Sequence, residues 1–383
     1  MNTPPVYLDY NATTPLHPKV LEAMLPYLRD EFGNASSRHG YGRRARAALD
    51  DAREKVAAAA GAHPAEVVFT SSGTESNNTF IKGAALMSMR GIVASAGTEH
   101  PCVLCAARTV ARGGMTFTPL SVDENGILDL DDLTQTLGGG DCALVSVMRA
   151  NNETGVLQDI PAIVRLVKDA GALMHTDAAQ ALGKTPLNFA EWGADAMTLS
   201  AHKARGPKGV AALIVRREVD WAPLLDGGGH ENGRRSSTEN VAGIVGMGAA
   251  CELASESLAD TERQKMLRDE MEQSLIGAGA QIFGAKSPRL SNTSLFGFPK
   301  LDGESMVVML DQAGFSVASG AACSSMKDEP SHVLLAMGVS QEEARTAIRV
   351  SMGVETSAEE LRRFTGAVLE VRRQMSSLSA VVG

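Results

Sequence analysis

The sequence predicts an α/β fold built on a mainly parallel sheet, followed by a smaller α+β unit. Strand-like apolar segments alternate with helical segments between about residues 66 and 215, and such alternation is typical of parallel sheets covered by helices. Polar residues collect where the strands end, which places a site at the carboxyl edge of the sheet. After a helical segment over residues 241–278, shorter strands and helices predict the second unit.

Composition favours an enzyme over a nucleic-acid-binding or membrane protein. The 383 residues allow two or three domains, and 44% hydrophobic with 21% charged residues is ordinary for a globular protein. A formal net charge of -9 and 4% aromatic residues disfavour nucleic-acid binding. We see no signal peptide and no uninterrupted apolar stretch long enough to cross a bilayer. The five cysteines suggest no disulfide framework, so we expect a cytoplasmic protein.

The predicted elements follow from hydrophobic periodicity and from turn residues. The predicted helices cover residues 17–28, 43–60 and 160–170. The predicted strands are a short one at Tyr7, seven over 66–70, 92–95, 115–120, 143–148, 172–176, 196–199 and 210–215, and three later ones over 293–298, 315–318 and 346–351. Gly61 ends the second helix. Cys102 and Cys105 form a single CxxC pair on a probable helix, and because there is no second pair we predict no metal site.

Lys203 follows the strand over 196–199, among small and hydroxyl residues. A lysine held there is partly desolvated, which lowers its pKa and allows a Schiff base with an aldehyde. The alternative is an ordinary surface lysine on a turn. Asp177 ends an earlier strand, and a lysine that holds pyridoxal phosphate (PLP) requires a carboxylate that keeps the pyridine nitrogen protonated. The pair therefore favours PLP.

Two other strand ends support a cofactor site. Gly73 and Thr74 begin a helix directly after a strand, where free backbone N–H groups could hold a phosphate. A plain helix cap with Thr74 as the capping residue is the alternative. His100 also lies at a strand end, where its ring could stack on a pyridine, although a lone histidine is more often structural. Arg149–Gly155 carries too many polar groups for simple packing.

The second unit contributes a cysteine and an arginine. Cys323 is flanked by Gly, Ala and Ser, so we expect a mobile segment that is either an incidental exposed thiol or a nucleophile on a flexible arm. Arg349 lies on a buried-type strand and requires an anionic partner. A substrate carboxylate would serve, and so would a structural Asp or Glu.

Taken together, these segments resemble the NifS-type cysteine desulfurases, class V PLP enzymes of the aspartate-aminotransferase fold. The resemblance runs from Tyr7-Leu-Asp-Tyr-Asn-Ala-Thr-Thr-Pro to Arg349-Val-Ser-Met-Gly and includes Phe69-Thr-Ser-Ser-Gly-Thr-Glu-Ser-Asn-Asn, Glu99-His100, Asn151-Asn-Glu, His175-Thr-Asp-Ala-Ala-Gln and Ser200-Ala-His-Lys. The segment after Cys323 resembles the long-loop branch. The resemblance implies a large domain over 12–251 with a seven-stranded-type sheet, and a small domain over 1–11 and 252–383.

The resemblance also implies a role for each site residue. Lys203 would form the Schiff base, Asp177 would pair with the pyridine nitrogen, and His100 would stack on the ring and move protons. The phenolic oxygen would face Asn152 and Gln180, and the phosphate would be held by Gly73, Thr74, Ser200, His202 and, from the second subunit of a homodimer, Thr238. Arg349, with Asn152, would take the carboxylate of L-cysteine. Cys323 would attack the substrate sulfur and keep it as a persulfide while alanine leaves.

The implied product is sulfur for an acceptor protein in iron–sulfur cluster assembly, tRNA thiolation or thio-cofactor synthesis. The sequence ends soon after Met375, without the extended segment by which housekeeping members dock their scaffold, so the acceptor is left open. Two enzyme alternatives are a selenocysteine lyase and another class V aminotransferase or lyase. A third alternative is a catalytically silent binding platform. Among departures from the family pattern, Ser237 stands where glycine is common.

Overall fold

The computed structural model describes residues 5–320 and 329–382, so Cys323 lies outside the described residues. Two hydrophobic cores organise the chain around two sheets. One core lies between the large sheet and its helices. Another joins Val6 and Leu8 to residues 271–371, so the first residues of the chain pack with its last third. The predicted domain bounds at residues 12 and 251 stay a prediction.

The large sheet has seven strands and confirms the predicted α/β class. After β1 (Val6–Tyr7), its strands are β2 (Val67–Thr70), β3 (Ile92–Ala96), β4 (Thr116–Leu120), β5 (Cys142–Ser146), β6 (Leu173–Asp177), β7 (Ala196–Ser200) and β8 (Ala211–Val215), in the order β2-β8-β7-β6-β5-β3-β4. All neighbours are parallel except β8, which is antiparallel to β2 and β7. The connection from β7 to β8 covers only residues 201–210. A connection between parallel strands needs about a dozen residues or more, so these two strands are antiparallel. The predicted strand over 143–148 ends earlier, at Ser146.

Seven helices connect these strands and cover the sheet. They are α1 (Pro18–Arg29), α2 (Gly40–Ala60), α3 (Gly73–Met87), α4 (Pro101–Arg112), α5 (Leu130–Gly138), α6 (Ile160–Asp169) and α7 (Phe189–Trp192). Helix α2 begins before the predicted residue 43 because the ring of His39 caps it, accepting from the backbone N–H of Gly42. It ends at Gly61, whose φ of 63° is left-handed and favours glycine.

Two long helices, α8 (Val241–Leu258) and α9 (Thr261–Gly277), follow the large sheet. Contrary to the sequence expectation, α8 is long and apolar enough to cross a membrane by length and composition. Its buried residues include Ile244, Met247 and Cys251, and the helix packs against α1 and α2. That packing is typical of a core helix.

The second sheet has the order β12-β13-β10-β9 and is antiparallel. Its unit contains β9 (Gln281–Ile282), β10 (Thr293–Gly297), α10 (Gly303–Gln312), β11 (Phe315–Ser316), β12 (Ala318–Ser319), α11 (His332–Ala336), α12 (Gln341–Ala344), β13 (Ala347–Ser351) and α13 (Ala358–Val382). The predicted strand over 315–318 is split at Val317 because its two halves have different partners. Strand β11 pairs with β1, whereas β12 pairs with β13.

Candidate active site

One cavity of about 330 Å³ opens at the carboxyl edge of the large sheet. Its size falls within the range of small-molecule and cofactor sites, roughly 300–1,000 Å³. Ten of the predicted site residues line it, namely Gly73, Thr74, His100, Asn152, Asp177, Gln180, Ser200, His202, Lys203 and Arg349. Thr238 is exposed elsewhere, beside Ser71 and Gly209. Nine of them end or follow strands of the large sheet whose carboxyl ends meet at this edge, whereas Arg349 comes from β13 of the second sheet.

Lys203 follows β7 and reaches the N-terminal segment. Its Nζ donates to the carbonyl oxygens of Asn11 and Ala12, at 2.6 and 2.8 Å. A second lysine, Lys184, donates to Oδ1 of Asn11 and to Oε1 of Gln180, at 2.9 and 2.7 Å. Burial holds the pKa of Lys184 well below its usual value, and the positive charges of Lys203 and Arg349 lower it further. The cavity itself is lined by Lys203 and Arg349 but not by Lys184, and the guanidinium of Arg349 would attract an anionic substrate.

Asp177 ends β6 with both carboxylate oxygens held. Oδ2 accepts from Nδ2 of Asn77 at 2.7 Å, and Oδ1 accepts from the backbone N–H of Ala179 at 2.9 Å. Asn77 lies in the first turns of α3 and is fully buried. These bonds fix the orientation of a carboxylate that faces the cavity, which suits the partner of a cofactor nitrogen.

His100 caps helix α4 and lies between charged neighbours. Its Nδ1 accepts from the backbone N–H of Cys102 at 3.2 Å. Burial lowers the pKa of His100; Asp177 opposes this shift, whereas Lys203 adds to it. The ring is therefore neutral at neutral pH and suited to stack on a flat ring.

The start of α3 forms a cradle for an anion. Ser72, and not Thr74 as the capping alternative required, caps the helix by accepting from the backbone N–H of Glu75 at 3.1 Å. Ser200 lies alongside, since a Cβ added at Gly73 would lie 3.8 Å from the Cβ of Ser200. Burial lowers the pKa of His202 to about 4, with the lysines around it as further causes. A neutral His202 contributes hydrogen bonds, and the helix end contributes positive potential.

Arg349 lies on β13 and is almost completely buried. Its Nη2 donates to Oδ1 of Asp9 at 2.6 Å, and its Nη1 donates to the carbonyl oxygen of Asn152 at 3.0 Å. Within residues 5–320 and 329–382, Nε has no hydrogen-bond acceptor. The sequence left a substrate carboxylate and a structural acid open as partners, and the structure places the acid, Asp9, in contact. The two contacts use two of the five N–H groups of the guanidinium. Because the side chain lines the cavity, donors remain for a second anion.

Sequence reasoning missed two residues of this cavity. Asn11 accepts from Lys203, from Lys184 and from Nε2 of Gln180 (2.8 Å), so it joins the three side chains at their base. Its place at the end of the first predicted strand was a signal that could have found it. Asn77 lies in a segment that carries the family resemblance, but the sequence alone assigns it no role in the site.

The donor set fits PLP. An amine, a carboxylate, a neutral imidazole and a helix N-terminus converge on one cavity, and each matches a group on that cofactor: its aldehyde carbon, its ring nitrogen, its ring face and its phosphate. When bound, PLP would supply an electron sink for the α-carbon of an amino acid.

A buried histidine beside the cavity predicts acid sensitivity. His175 bonds Ser146 through Nδ1 and Thr198 through Nε2, at 2.8 and 3.1 Å, and burial lowers its pKa from 6.5 to about 4. The unfolded chain protonates this histidine at a higher pH than the folded chain does. The contribution of His175 to the free energy of unfolding is therefore complete above pH 6.5, and roughly 3 kcal/mol of it is lost as the pH drops to 4. Urea unfolding of cofactor-free protein between pH 7 and 4 measures the slope. His202, whose pKa is also about 4, contributes to the same slope, so His175→Asn should reduce the slope without abolishing it. An equal slope in this variant would contradict the assignment.

Similar proteins of known family include several cysteine desulfurases. The class V aminotransferase family matches residues 6–364. A cysteine desulfurase IscS of Dictyoglomus turgidum is 45% identical, over 95% of this chain and 93% of the relative. A cysteine desulfurase of Bradyrhizobium diazoefficiens is 42% identical, over 99% and 97%.

Solved structures agree with these relatives. A NifS-like protein superposes with a TM-score of 0.90 at 35% identity, over 96% of this chain and 99% of that chain. A structure described as SspA in complex with cysteine has a TM-score of 0.79 at 32% identity, over 91% and 98%. The chain therefore belongs to the class V aminotransferase family and, within it, to the PLP-dependent cysteine desulfurases.

Proposed function

We propose that the chain removes sulfur from L-cysteine, releases L-alanine, and keeps the sulfur as a persulfide on Cys323 for transfer to an acceptor protein. The observation that carries the proposal is the convergence of Lys203, Asp177, His100 and Arg349 on one cavity. The membership of the chain in the cysteine desulfurases supports the substrate.

Some residues of the cavity bind PLP, and others hold or transfer protons. Asp177, oriented by Asn77, holds a proton on the ring nitrogen of PLP, and the N–H groups at Gly73 and Thr74 hold its phosphate. Asn152 and Gln180 bind its phenolic oxygen. Lys203 holds the cofactor and moves a proton at the α-carbon of the substrate. These assignments follow from the resemblance to the family, and the presence of these residues around one cavity supports them.

Arg349 binds the substrate carboxylate through its remaining N–H donors while Asp9 holds the guanidinium in place. The thiolate of Cys323 then attacks the sulfur of the substrate. A sulfur–sulfur bond forms, the carbon–sulfur bond breaks, and its electron pair goes to the carbon, which is protonated and leaves as alanine. An acceptor thiol takes the outer sulfur from Cys323.

The proposed enzyme is a homodimer. Thr238 is exposed and does not line the cavity of its own chain, as expected of a residue that serves the phosphate site of a second subunit. Leu21, Leu28 and Phe32, on and after α1, are exposed large apolar side chains that a second subunit would cover. Sedimentation of the purified protein would give a two-chain mass.

We also propose a cytoplasmic location, which free thiols support. These thiols are Cys102, Cys105, Cys142 and Cys251.

The test of function is the release of alanine and sulfide from L-cysteine in the presence of a thiol reductant. We expect wild-type protein and a Cys105→Ala control, which lacks an exposed thiol, to be active. Cys323→Ala should retain the bound cofactor and lose at least ~10²-fold in rate, because its sulfur acceptor is removed. Equal rates in Cys323→Ala would contradict the persulfide step. Turnover of selenocysteine but not of cysteine would favour the lyase alternative.

A further inference from the structure

We propose that Cys102 is a positioning residue of the active site, which ties the ring of His100 to Asp177 through Asn77. The four side chains line one wall of the cofactor cavity. This inference deepens the proposed function and rests on it. It gives a role to Cys102, which stands out in the sequence only as one residue of a single CxxC pair.

The contacts form an unbroken chain. Nδ2 of Asn77 lies 2.7 Å from Oδ2 of Asp177 and 3.2 Å from Sγ of Cys102. The same Sγ lies 2.9 Å from Nδ1 of His100. Asn77 can serve both partners because its amide carries two hydrogens.

The direction of each hydrogen bond follows from the local chemistry. The backbone N–H of Cys102 points at Nδ1 of His100, at 3.2 Å, so Nδ1 is an acceptor. Burial, and then the charge of Asp177, raise the pKa of Cys102 to about 12, so its thiol keeps its proton. The thiol therefore accepts from Asn77 and donates to Nδ1. A neutral His100 must then carry its proton on Nε2.

This arrangement has two consequences for the reaction. It fixes the plane of the His100 ring, which has to be parallel to a flat cofactor ring for the two to stack. It also stabilises the neutral ring, because protonation at Nδ1 would set its N–H against the backbone N–H of Cys102 and would remove the acceptor of the thiol proton. Loss of the thiol should therefore raise the pKa of His100 and free its ring to rotate.

A role for Cys102 as a second sulfur carrier is less favourable. A carrier must ionise to attack a persulfide, and the raised pKa of this thiol opposes ionisation. Cys105 is the natural comparison because it lies one turn further along α4 and is exposed.

The first test uses cofactor-free protein, so that it does not depend on turnover. Histidine labelled with ¹⁵N reports which ring nitrogen of His100 carries the proton, and His100→Gln identifies the signal. We expect the Nε2–H form in wild type and in Cys105→Ala. Cys102→Ala should raise the titration midpoint of His100 by about 0.5 unit, since one hydrogen bond to the neutral ring is lost. An Nδ1–H form in wild type, or an unchanged midpoint in Cys102→Ala, would overturn the proposal.

Cys102→Ser is the rescue variant, because its hydroxyl keeps a donor at the same position. We expect a midpoint between those of wild type and Cys102→Ala, and this variant decides the question if Cys102→Ala does not fold. A serine midpoint equal to that of a folded alanine variant would count against the hydrogen bond.

The second test uses the PLP-loaded enzyme with L-cysteine. Cys102→Ala should lower kcat by about threefold to tenfold, with KM changed less than twofold, and should move the acid limb of kcat/KM to higher pH. Cys102→Ser should recover part of kcat. A rise in KM with unchanged kcat would contradict a positioning role. If wild type does not turn over L-cysteine, the proposed function fails, while the ¹⁵N result on His100 still stands.

Discussion

Replacing Lys203 with alanine is expected to abolish turnover of L-cysteine and the visible absorbance of covalently held PLP. Lys203 follows β7 and lines the cavity, and its Nζ donates to the carbonyl oxygens of Asn11 and Ala12. Removing this amine takes away the covalent attachment and a proton carrier at once, so we expect a loss of at least ~10³-fold. The measurements are an absorbance spectrum and alanine release at saturating L-cysteine.

Two other lysines make this prediction selective. Lys208 is exposed in the same turn, so Lys208→Ala should keep both the spectrum and the rate. Lys184 is the internal rival, because its buried amine has a strongly lowered pKa and could react with an aldehyde. Lys203 lines the cavity and Lys184 does not, which favours Lys203. Visible absorbance that survives in Lys203→Ala and disappears in Lys184→Met would reverse the assignment.

Replacing Arg349 with alanine is expected to weaken substrate binding and stability together. Loss of a charge-assisted contact to the carboxylate should raise KM for L-cysteine about tenfold or more. Loss of the partner of Asp9 should lower the free energy of unfolding by about 2 kcal/mol. This figure lies below the range for fully buried pairs because the Asp9 side chain is 20% exposed. Steady-state kinetics and urea unfolding measure the two effects.

Asp9→Asn separates the two tasks of Arg349. It removes the structural carboxylate charge but leaves the guanidinium for the substrate, so we expect reduced stability with KM within about twofold of wild type. If Arg349 served only Asp9, both variants would lose stability and neither would change KM. That pattern would assign the substrate carboxylate to another cation of the cavity.

The sequence was sufficient to predict the strands of the large sheet and most of the residues that line the cavity. Strand periodicity located β6 and β7, and parallel strands bring their last residues to one edge, so Asp177 and Lys203 could be predicted as neighbours. The split of the strand at Val317 was not predictable, because it depends on which strands lie beside Phe315 and Ala318. Periodicity describes one strand at a time and carries no information about partners.

Contacts between distant side chains were also beyond the sequence. Arg349 was recognised as needing an anion, but Asp9 is 340 residues away in the chain, and only the folded chain shows that they meet. Cys102 was assigned to a helix correctly. Its contact with Asn77 joins two different strand–helix units, and the spacing within the CxxC motif says nothing about such a neighbour.

The meeting of the two ends of the chain sets the order in which the enzyme matures. The backbone N–H of Asn11 donates to Oγ of Ser351, and Asp9 holds Arg349. At a ribosomal rate of roughly 5–20 residues per second, the first of these residues waits tens of seconds for the last. A nascent chain can already bring Lys203 and Asp177 together, whereas its site for the substrate carboxylate is completed only when synthesis is nearly finished. Chains cut short before β13 would therefore retain Lys203 and Asp177, the proposed PLP-binding groups, and lack Arg349, the proposed partner of the substrate carboxylate.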